Sequence, residues 1–123
     1  TRFVSLQYGD AAGELAQLSG AHGVRLQNFG DEFSDLEELA AAIRALDLVI
    51  SVDNTVAHLA GALGQRVWTL LTCAPEWRYP RSGAAMPWYP SARLFRQPGP
   101  RDWRPVLEEV GRALRQAVEK RRV

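Results

Sequence analysis

Five short apolar segments alternate along this chain with segments whose apolar residues recur at helical spacing. The strand-like segments are rich in aromatic and β-branched residues and comprise residues 3–8, 24–29, 48–52, 67–71 and 92–96. Strands that alternate with helices predict a parallel sheet covered on both faces, with right-handed crossovers. At 123 residues, the chain is long enough for one domain. We therefore predict a single α/β domain over residues 1–123, with an open parallel sheet of about five strands in the order 2-1-3-4-5.

The second and the last helical segments carry the clearest helix signals. Ser34 and Glu37 match a capping box, in which each side chain bonds the other's free backbone N–H. Apolar residues then recur at helical spacing through residues 36–46 and predict a face buried against the sheet. Asp102 is the expected cap of the last helix. The expected buried face of that helix consists of Val106, Leu107, Val110, Leu114 and Val118.

Polar groups of several kinds follow the third strand. Residues 48–52 are nearly all apolar, which predicts a strand buried on both faces at the centre of the sheet. Asp53, Asn54 and Thr55 come next and favour a helix N-terminus, with His58 on its first turn. Because ligands of open α/β sheets bind beyond the carboxyl ends of strands, we predict that these four residues form a ligand-facing cluster. The alternative is that Asp53 or Asn54 only caps the helix and that His58 packs beneath it.

Charge, cysteine count and motifs exclude several classes of protein. The net charge of +1 provides no broad basic surface for nucleic acid. Cys73 is the only cysteine and is expected in the core, and the two histidines lack a metal-ligand spacing, so we expect neither a metal nor a cofactor. The sequence contains no glycine-rich dinucleotide fingerprint and no P-loop. No apolar run reaches the roughly 18–20 residues of a membrane span, and no leader peptide is apparent, so we expect a cytoplasmic protein.

A long loop separates the fourth and fifth strands. Residues 74–91 contain four prolines and four large aromatic residues without any periodicity. Loops of this length in compact domains are usually functional or disordered, and the aromatic content argues against disorder. The aromatic side chains could stack on a base or a sugar, pack against a neighbouring domain, or cover the sheet edge. If Trp77, Tyr79, Trp88 and Tyr89 are all exposed, they form an apolar patch that would drive homo-oligomer formation.

Residues 47–64, with the strand 67–71 behind them, resemble the C-terminal half of glycosyltransferases built from two Rossmann-like domains, the GT-B enzymes. The segments at 5–9, 75–79, 87–91 and 93–97 are similar to the same group. Within that group, the chain looks most like the transferase region of bacterial tetratricopeptide-repeat proteins. These proteins are related to the heptosyltransferases and, more distantly, to the O-linked N-acetylglucosamine transferases. The resemblance implies a Rossmann-like domain that is one part of a larger protein.

The resemblance also implies that this domain holds a nucleotide-diphosphate-sugar donor without a metal ion. The four residues of the predicted cluster would line the diphosphate and the sugar, with backbone N–H groups of residues 55–57 binding phosphate oxygens. Gln7 and Tyr8 would face them from the first strand. Related transferases often place a lysine near that position, so either an arginine such as Arg78 substitutes for its charge or phosphate binding is weak. The catalytic base would come from the N-terminal half of the same protein, so we expect the isolated chain to transfer no sugar to a protein or glycan acceptor.

Two other functions are compatible with the same residues. A degenerate transferase domain could bind a nucleotide or a partner protein without catalysis, and Tyr8 in place of lysine slightly favours this reading. A nucleotide-sugar epimerase of the same fold would need further carboxylates near the donor, which the sequence does not place. A second Rossmann-like half upstream in the full-length gene would support the transferase.

Overall fold

The computed structural model describes residues 1–29 and 35–122, which form an α/β chain. The alternation of strands and helices expected from the sequence is confirmed. Within these residues the elements are β1 (Phe3–Ser5), α1 (Ala12–His22), β2 (Leu26–Asn28), α2 (Leu36–Ala45), β3 (Val49–Val52), α3 (Thr55–Ala62), β4 (Val67–Leu71), β5 (Ala92–Arg96) and α4 (Arg104–Arg122). None of the helices in this part of the chain combines the length and the apolarity needed to cross a bilayer.

The chain divides into two compact units, and the boundary between Leu39 and Ala40 falls inside α2. In the first unit, β1 and β2 pair in parallel, with Phe3 opposite Leu26. The helix between them ends at Gly23, whose left-handed backbone (φ 64°) allows its N–H to bond the Ser19 carbonyl at 3.0 Å. Gly23 is therefore the residue that ends α1.

The second unit contains a three-stranded parallel sheet in the order β3-β4-β5. All five residues of β4 are buried, because this strand has a hydrogen-bonded neighbour on each side. The prediction that β3 is the central strand, buried on both faces, is wrong for this sheet. Val49 is buried, but Ile50 is 40% exposed and Val52 is 50% exposed, since β3 lies at the edge of the three-stranded sheet.

The strand pairing differs from the predicted order 2-1-3-4-5. The described strands form two parallel sheets, β1-β2 and β3-β4-β5, and the expected pairing of β1 with β3 is not among their hydrogen-bonded pairs. Periodicity identifies strands but does not encode their partners, which depend on contacts between distant segments. The parallel α/β class is confirmed, whereas the single five-stranded sheet is not.

Helix α4 packs on the three-stranded sheet through a face slightly different from the predicted one. Trp68, Leu70 and Phe95 of the sheet form a buried cluster with Val106, Val110 and Ala113 of the helix. Leu107, expected in the core, is 57% exposed because it lies one helical step away from that face.

The helix begins at Arg104, so Asp102 precedes the position of an N-cap and the capping prediction for it is wrong.

Two further predictions concern residues at the ends of elements. The predicted capping box involves Ser34, which lies outside the described residues. Directly before α2, the Asp35 carboxylate accepts a hydrogen bond from the Glu38 N–H at 2.9 Å and so caps the helix. Cys73 is exposed and not in the core, because the chain has left β4 after Leu71.

Candidate functional site

The residues after β3 form a capped helix N-terminus. Asn54 has an extended backbone, and its Oδ1 accepts from the N–H groups of Val56 (3.0 Å) and Ala57 (3.3 Å). The Ser51 hydroxyl donates to the same oxygen at 2.9 Å. Asn54 therefore has the capping role that the sequence offered as an alternative. An anion at the N–H groups of residues 56 and 57 would have to replace the Asn54 side chain.

His58 lies on the first turn of α3 and contacts polar groups of three other residues. Its Nδ1 is 3.1 Å from the Tyr89 hydroxyl, and its Nε2 is 3.4 Å from the Tyr79 hydroxyl. The same Nε2 lies 3.6 Å from Asp53 Oδ1. The His58 and Asp53 side chains are 26% and 22% exposed, so solvent reaches both. We call Asp53, His58, Tyr79 and Tyr89 the His58 cluster.

Tyr79 contributes a neutral hydroxyl to this cluster. Burial is the main cause that raises the pKa of Tyr79 well above its ordinary value, and a hydrogen bond to Asp53 raises that pKa further. The hydroxyl therefore stays protonated at physiological pH and has a proton to donate within the cluster.

Tyr89 reaches His58 because α3 has no side chain at Gly61. A Cβ atom at that position would lie 2.4 Å from Cγ of Tyr89, closer than such atoms approach in proteins. The tyrosine ring packs directly on the helix backbone, and the His58 and Tyr89 rings meet edge to face at 5.8 Å. Because Gly61 has no side chain, the Tyr89 ring can approach α3 closely enough to bring its hydroxyl within hydrogen-bond distance of His58 Nδ1.

The loop that carries both tyrosines is folded onto the sheet. Tyr79 and Met86 are buried with Leu71 and Leu94 of β4 and β5. Arg96 of β5 donates through Nη2 to the Pro80 carbonyl at 2.7 Å. The loop therefore covers the sheet, as one of the three interpretations of its aromatic residues expected.

Two tryptophans of this loop remain exposed. Trp77 is 78% exposed and Trp88 is 51% exposed, and their rings meet edge to face with centroids 5.8 Å apart. Tyr79 is only 6% exposed and Tyr89 is half-buried, so the expected patch of four aromatic residues is reduced to two. The correction follows from the packing of both tyrosines against β4, β5 and α3.

Arg78 is engaged by its neighbours. Its guanidinium forms an ion pair with Glu76 and lies over the Trp77 ring, 5.1 Å from the ring centroid. An arginine that already has a carboxylate partner would have to leave it before it could bind a diphosphate. Its substitution for a lysine stays a prediction.

The remaining predicted site residues are exposed. Gln7 and Tyr8 belong to the first unit, where the Gln7 N–H bonds Ser5 Oγ at 3.3 Å and Tyr8 is 75% exposed. Thr55 is the exposed first residue of α3. The structure brings Asp53 and His58 together beside the Asn54 cap, and a ligand-binding role for all of these residues stays a prediction. Within residues 1–29 and 35–122, no group of three or more His, Cys, Asp or Glu side chains could hold a metal ion.

Sequence reasoning missed Tyr79, Tyr89 and Gly61 as members of the site. The two tyrosines were expected to stack on a ligand, pack against a neighbouring domain or cover the sheet edge, but not to contact His58, and Gly61 was given no role of its own. No spacing in the sequence connects position 58 with position 79 or 89, because a loop folded back by tertiary packing makes both contacts.

The His58 cluster lies at the carboxyl end of a strand in a parallel sheet, which is where ligands of open α/β sheets usually bind. Residues 34–103, more than half of the chain, match glycosyltransferase family 9 (heptosyltransferase), and the chain belongs to this family. It is also 41% identical over 116 residues to Protein FlbA of Caulobacter vibrioides. The match covers 92% of this chain but 19% of FlbA, so the chain spans about a fifth of the length of that relative. No solved structure matches the chain.

Proposed function

We propose that this chain is the half of a glycosyltransferase that binds a nucleotide-diphosphate-sugar donor. The observation that carries the proposal is the His58 cluster, which lies at the carboxyl end of β3 within the segment that matches glycosyltransferase family 9. Half-buried polar side chains beside a helix N-terminus are suited to bind a phosphorylated ligand.

The chemistry proposed for this site uses neutral donors and the dipole of α3. Transfer of a sugar leaves a nucleoside diphosphate that gains negative charge in the transition state. The N-terminus of α3 and the imidazole of His58 would stabilise that charge without a metal ion. The Tyr89 hydroxyl, 3.1 Å from Nδ1, would hold the imidazole in place.

The rest of the enzyme lies outside this chain under the same proposal. We infer that the chain is the C-terminal domain of a GT-B transferase of the tetratricopeptide-repeat group, and that an N-terminal half supplies the catalytic base and the site for a protein or glycan acceptor. The chain spans about a fifth of FlbA, which leaves ample length for those parts in a protein of that size. Incubation with labelled nucleotide sugars should therefore release no free sugar. Turnover by this chain alone would contradict the proposal that the catalytic base lies in the N-terminal half.

The binding proposal is tested by His58→Ala. We expect its affinity for a nucleoside diphosphate to fall by more than about 1 kcal/mol, roughly fivefold or more, because one hydrogen bond to a charged group is lost. Titration calorimetry with UDP, ADP, GDP and CDP measures the affinity, and a thermal melt shows that the variant is folded.

His22→Ala is the matched control, since His22 is the chain's other histidine and lies exposed in the last turn of α1. The control should bind nucleoside diphosphates like the unaltered chain. Equal affinity of both variants, or loss of the fold in His58→Ala alone, would make His58 a structural residue and contradict the proposed site.

A second candidate function is a non-catalytic module that binds a partner through the exposed tryptophans. The observation that favours it is the pair Trp77 and Trp88, which remain exposed although the loop around them is packed. This function predicts that no nucleoside diphosphate binds. It also predicts that Trp77→Ala with Trp88→Ala abolishes self-association or partner binding, which sedimentation velocity can measure.

A further inference from the structure

The two ring nitrogens of His58 face partners of different chemistry. Nδ1 lies 3.1 Å from the Tyr89 hydroxyl, within ordinary hydrogen-bond distance. Nε2 faces the Tyr79 oxygen at 3.4 Å and the Asp53 carboxylate at 3.6 Å. A neutral imidazole carries one proton, so these surroundings decide which nitrogen holds it.

Both neighbours of Nε2 are hydrogen-bond acceptors. The Asp53 carboxylate can only accept when ionised. The Tyr79 hydroxyl, at 3.4 Å, has oxygen lone pairs that can accept from an Nε2–H. A proton on Nε2 therefore meets two groups that can accept it, whereas a lone pair there would face the Asp53 carboxylate, which has no proton to donate.

The partner of Nδ1, the Tyr89 hydroxyl, can supply a hydrogen-bond donor. If Nε2 carries the proton, Nδ1 presents a lone pair, and the Tyr89 hydroxyl can donate to it at 3.1 Å. Tyr89 is fixed for this task because its ring occupies the space above Gly61, where an added Cβ would lie 2.4 and 2.5 Å from two ring atoms.

We propose that His58 is held as the neutral tautomer with its proton on Nε2, and that Tyr89, seated against Gly61, is the positioning residue that donates to Nδ1. The Nε2–H is then the group offered to a ligand oxygen. Its two protein contacts, at 3.4 and 3.6 Å, are longer than good hydrogen bonds, so a phosphate or sugar oxygen can replace them at small loss. This last consequence rests on the proposed function, whereas the tautomer does not.

The tautomer can be measured without any ligand. Long-range ¹H–¹⁵N spectra of the ¹⁵N-labelled chain are recorded about two pH units above the ordinary histidine pKa of about 6.5. His22, which is exposed, provides an internal reference for an unconstrained imidazole. We expect the His58 signals of a protonated Nε2 and of an unprotonated Nδ1 that accepts a hydrogen bond, and a protonated Nδ1 would overturn the proposal.

Two variants test the positioning role of Tyr89. Tyr89→Phe keeps the ring and removes the donor, so the Nδ1 signal should move toward that of an imidazole without a hydrogen bond. Gly61→Ala should move the same signal by displacing the ring. Gly111→Ala is the matched control, because an added Cβ at that helical glycine meets only Arg115 Nη1 at 3.8 Å. If Gly61→Ala does not fold, Tyr89→Phe decides, and an unchanged Nδ1 signal in it overturns the role of Tyr89.

The ligand-facing nitrogen is tested by two substitutions of His58 itself. The amide nitrogen of glutamine can reach the region of Nε2, whereas that of the shorter asparagine lies nearer to Nδ1. We expect His58→Gln to keep nucleoside diphosphate affinity within about threefold and His58→Asn to lose about fivefold or more, as His58→Ala does. The reverse order would overturn the assignment of Nε2. If the unaltered chain binds no nucleoside diphosphate, the proposed function fails and the spectra still decide the tautomer.

Discussion

Tyr79 is a residue whose proton the fold holds strongly. Its side chain is 6% exposed, and burial followed by the hydrogen bond to Asp53 raises its pKa. The unfolded chain releases this proton near the ordinary tyrosine pKa of about 10, whereas the folded chain keeps it. The folded state therefore binds more protons above that pH. The contribution of Tyr79 to the free energy of unfolding is complete below about pH 10 and is lost as the pH rises toward its folded pKa.

Tyr79→Phe should reduce the alkaline loss of stability. Urea unfolding between about pH 8 and pH 11 should show a free energy of unfolding that falls less steeply with pH in the variant than in the unaltered chain. Tyr8→Phe is the control, because Tyr8 is 75% exposed and should leave the slope unchanged. Equal slopes for Tyr79→Phe and the unaltered chain would show that the fold does not hold this proton.

The members of the His58 cluster differ in how far the sequence could predict them. Asp53 and His58 follow a strand and begin a helix, so local pattern places them together at one strand end. Tyr79 and Tyr89 reach the same point from 21 and 31 residues away in the sequence. Their contribution depends on how the loop packs on β4 and β5, which no local pattern encodes.

Among the secondary-structure elements, the residues next to a helix explain where it begins and ends. Asn54 begins α3 by satisfying two N–H groups, and Gly64, with φ 69°, follows its C-terminus. Burial does not follow from local chemistry in the same way. β3 reads as a buried strand but lies at the edge of its sheet, and Leu107 reads as a core residue but faces solvent.

Asn54→Ala should destabilise α3 and its unit. The substitution leaves the N–H groups of Val56 and Ala57 without their side-chain acceptor, so we expect a loss of about 1 kcal/mol, within a range of about 0.5–2 kcal/mol. Asn54→Asp keeps an acceptor oxygen at the same place and should retain most of the stability. Denaturant unfolding measures both, and an unchanged midpoint for Asn54→Ala would contradict the capping role.

The whole molecule consists of two units with their own parallel pairings. The second unit carries β4 as its buried centre, with α4 packed over Trp68, Leu70 and Phe95. The sequence predicted its strands β4 and β5 with the bounds found in the structure. It could not predict the division of the chain within α2, because a continuous helical pattern runs across that boundary.

Two substitutions compare the centre of this core with its margin. Phe95→Ala removes a side chain that is 1% exposed and should cost about 3–5 kcal/mol through lost burial and a cavity. Leu107→Ala, at a position 57% exposed on α4, should change the free energy of unfolding by no more than about 0.5 kcal/mol. Urea midpoints measure the difference, with Phe95→Leu as a milder substitute if the alanine variant does not fold. Similar costs at both positions would contradict the observed face of α4.

Replacing helical glycines by alanine is a standard way to stabilise a protein, since alanine has the higher helix propensity. In this chain the outcome depends on which helix is altered. At Gly111 an alanine fits the surrounding space, and the usual gain applies. At Gly61 the added methyl group would collide with the Tyr89 ring. Glycine-to-alanine substitutions chosen without regard to the site would therefore disturb the surroundings of His58. Positions 61 and 89 should therefore be varied together, as one unit of design.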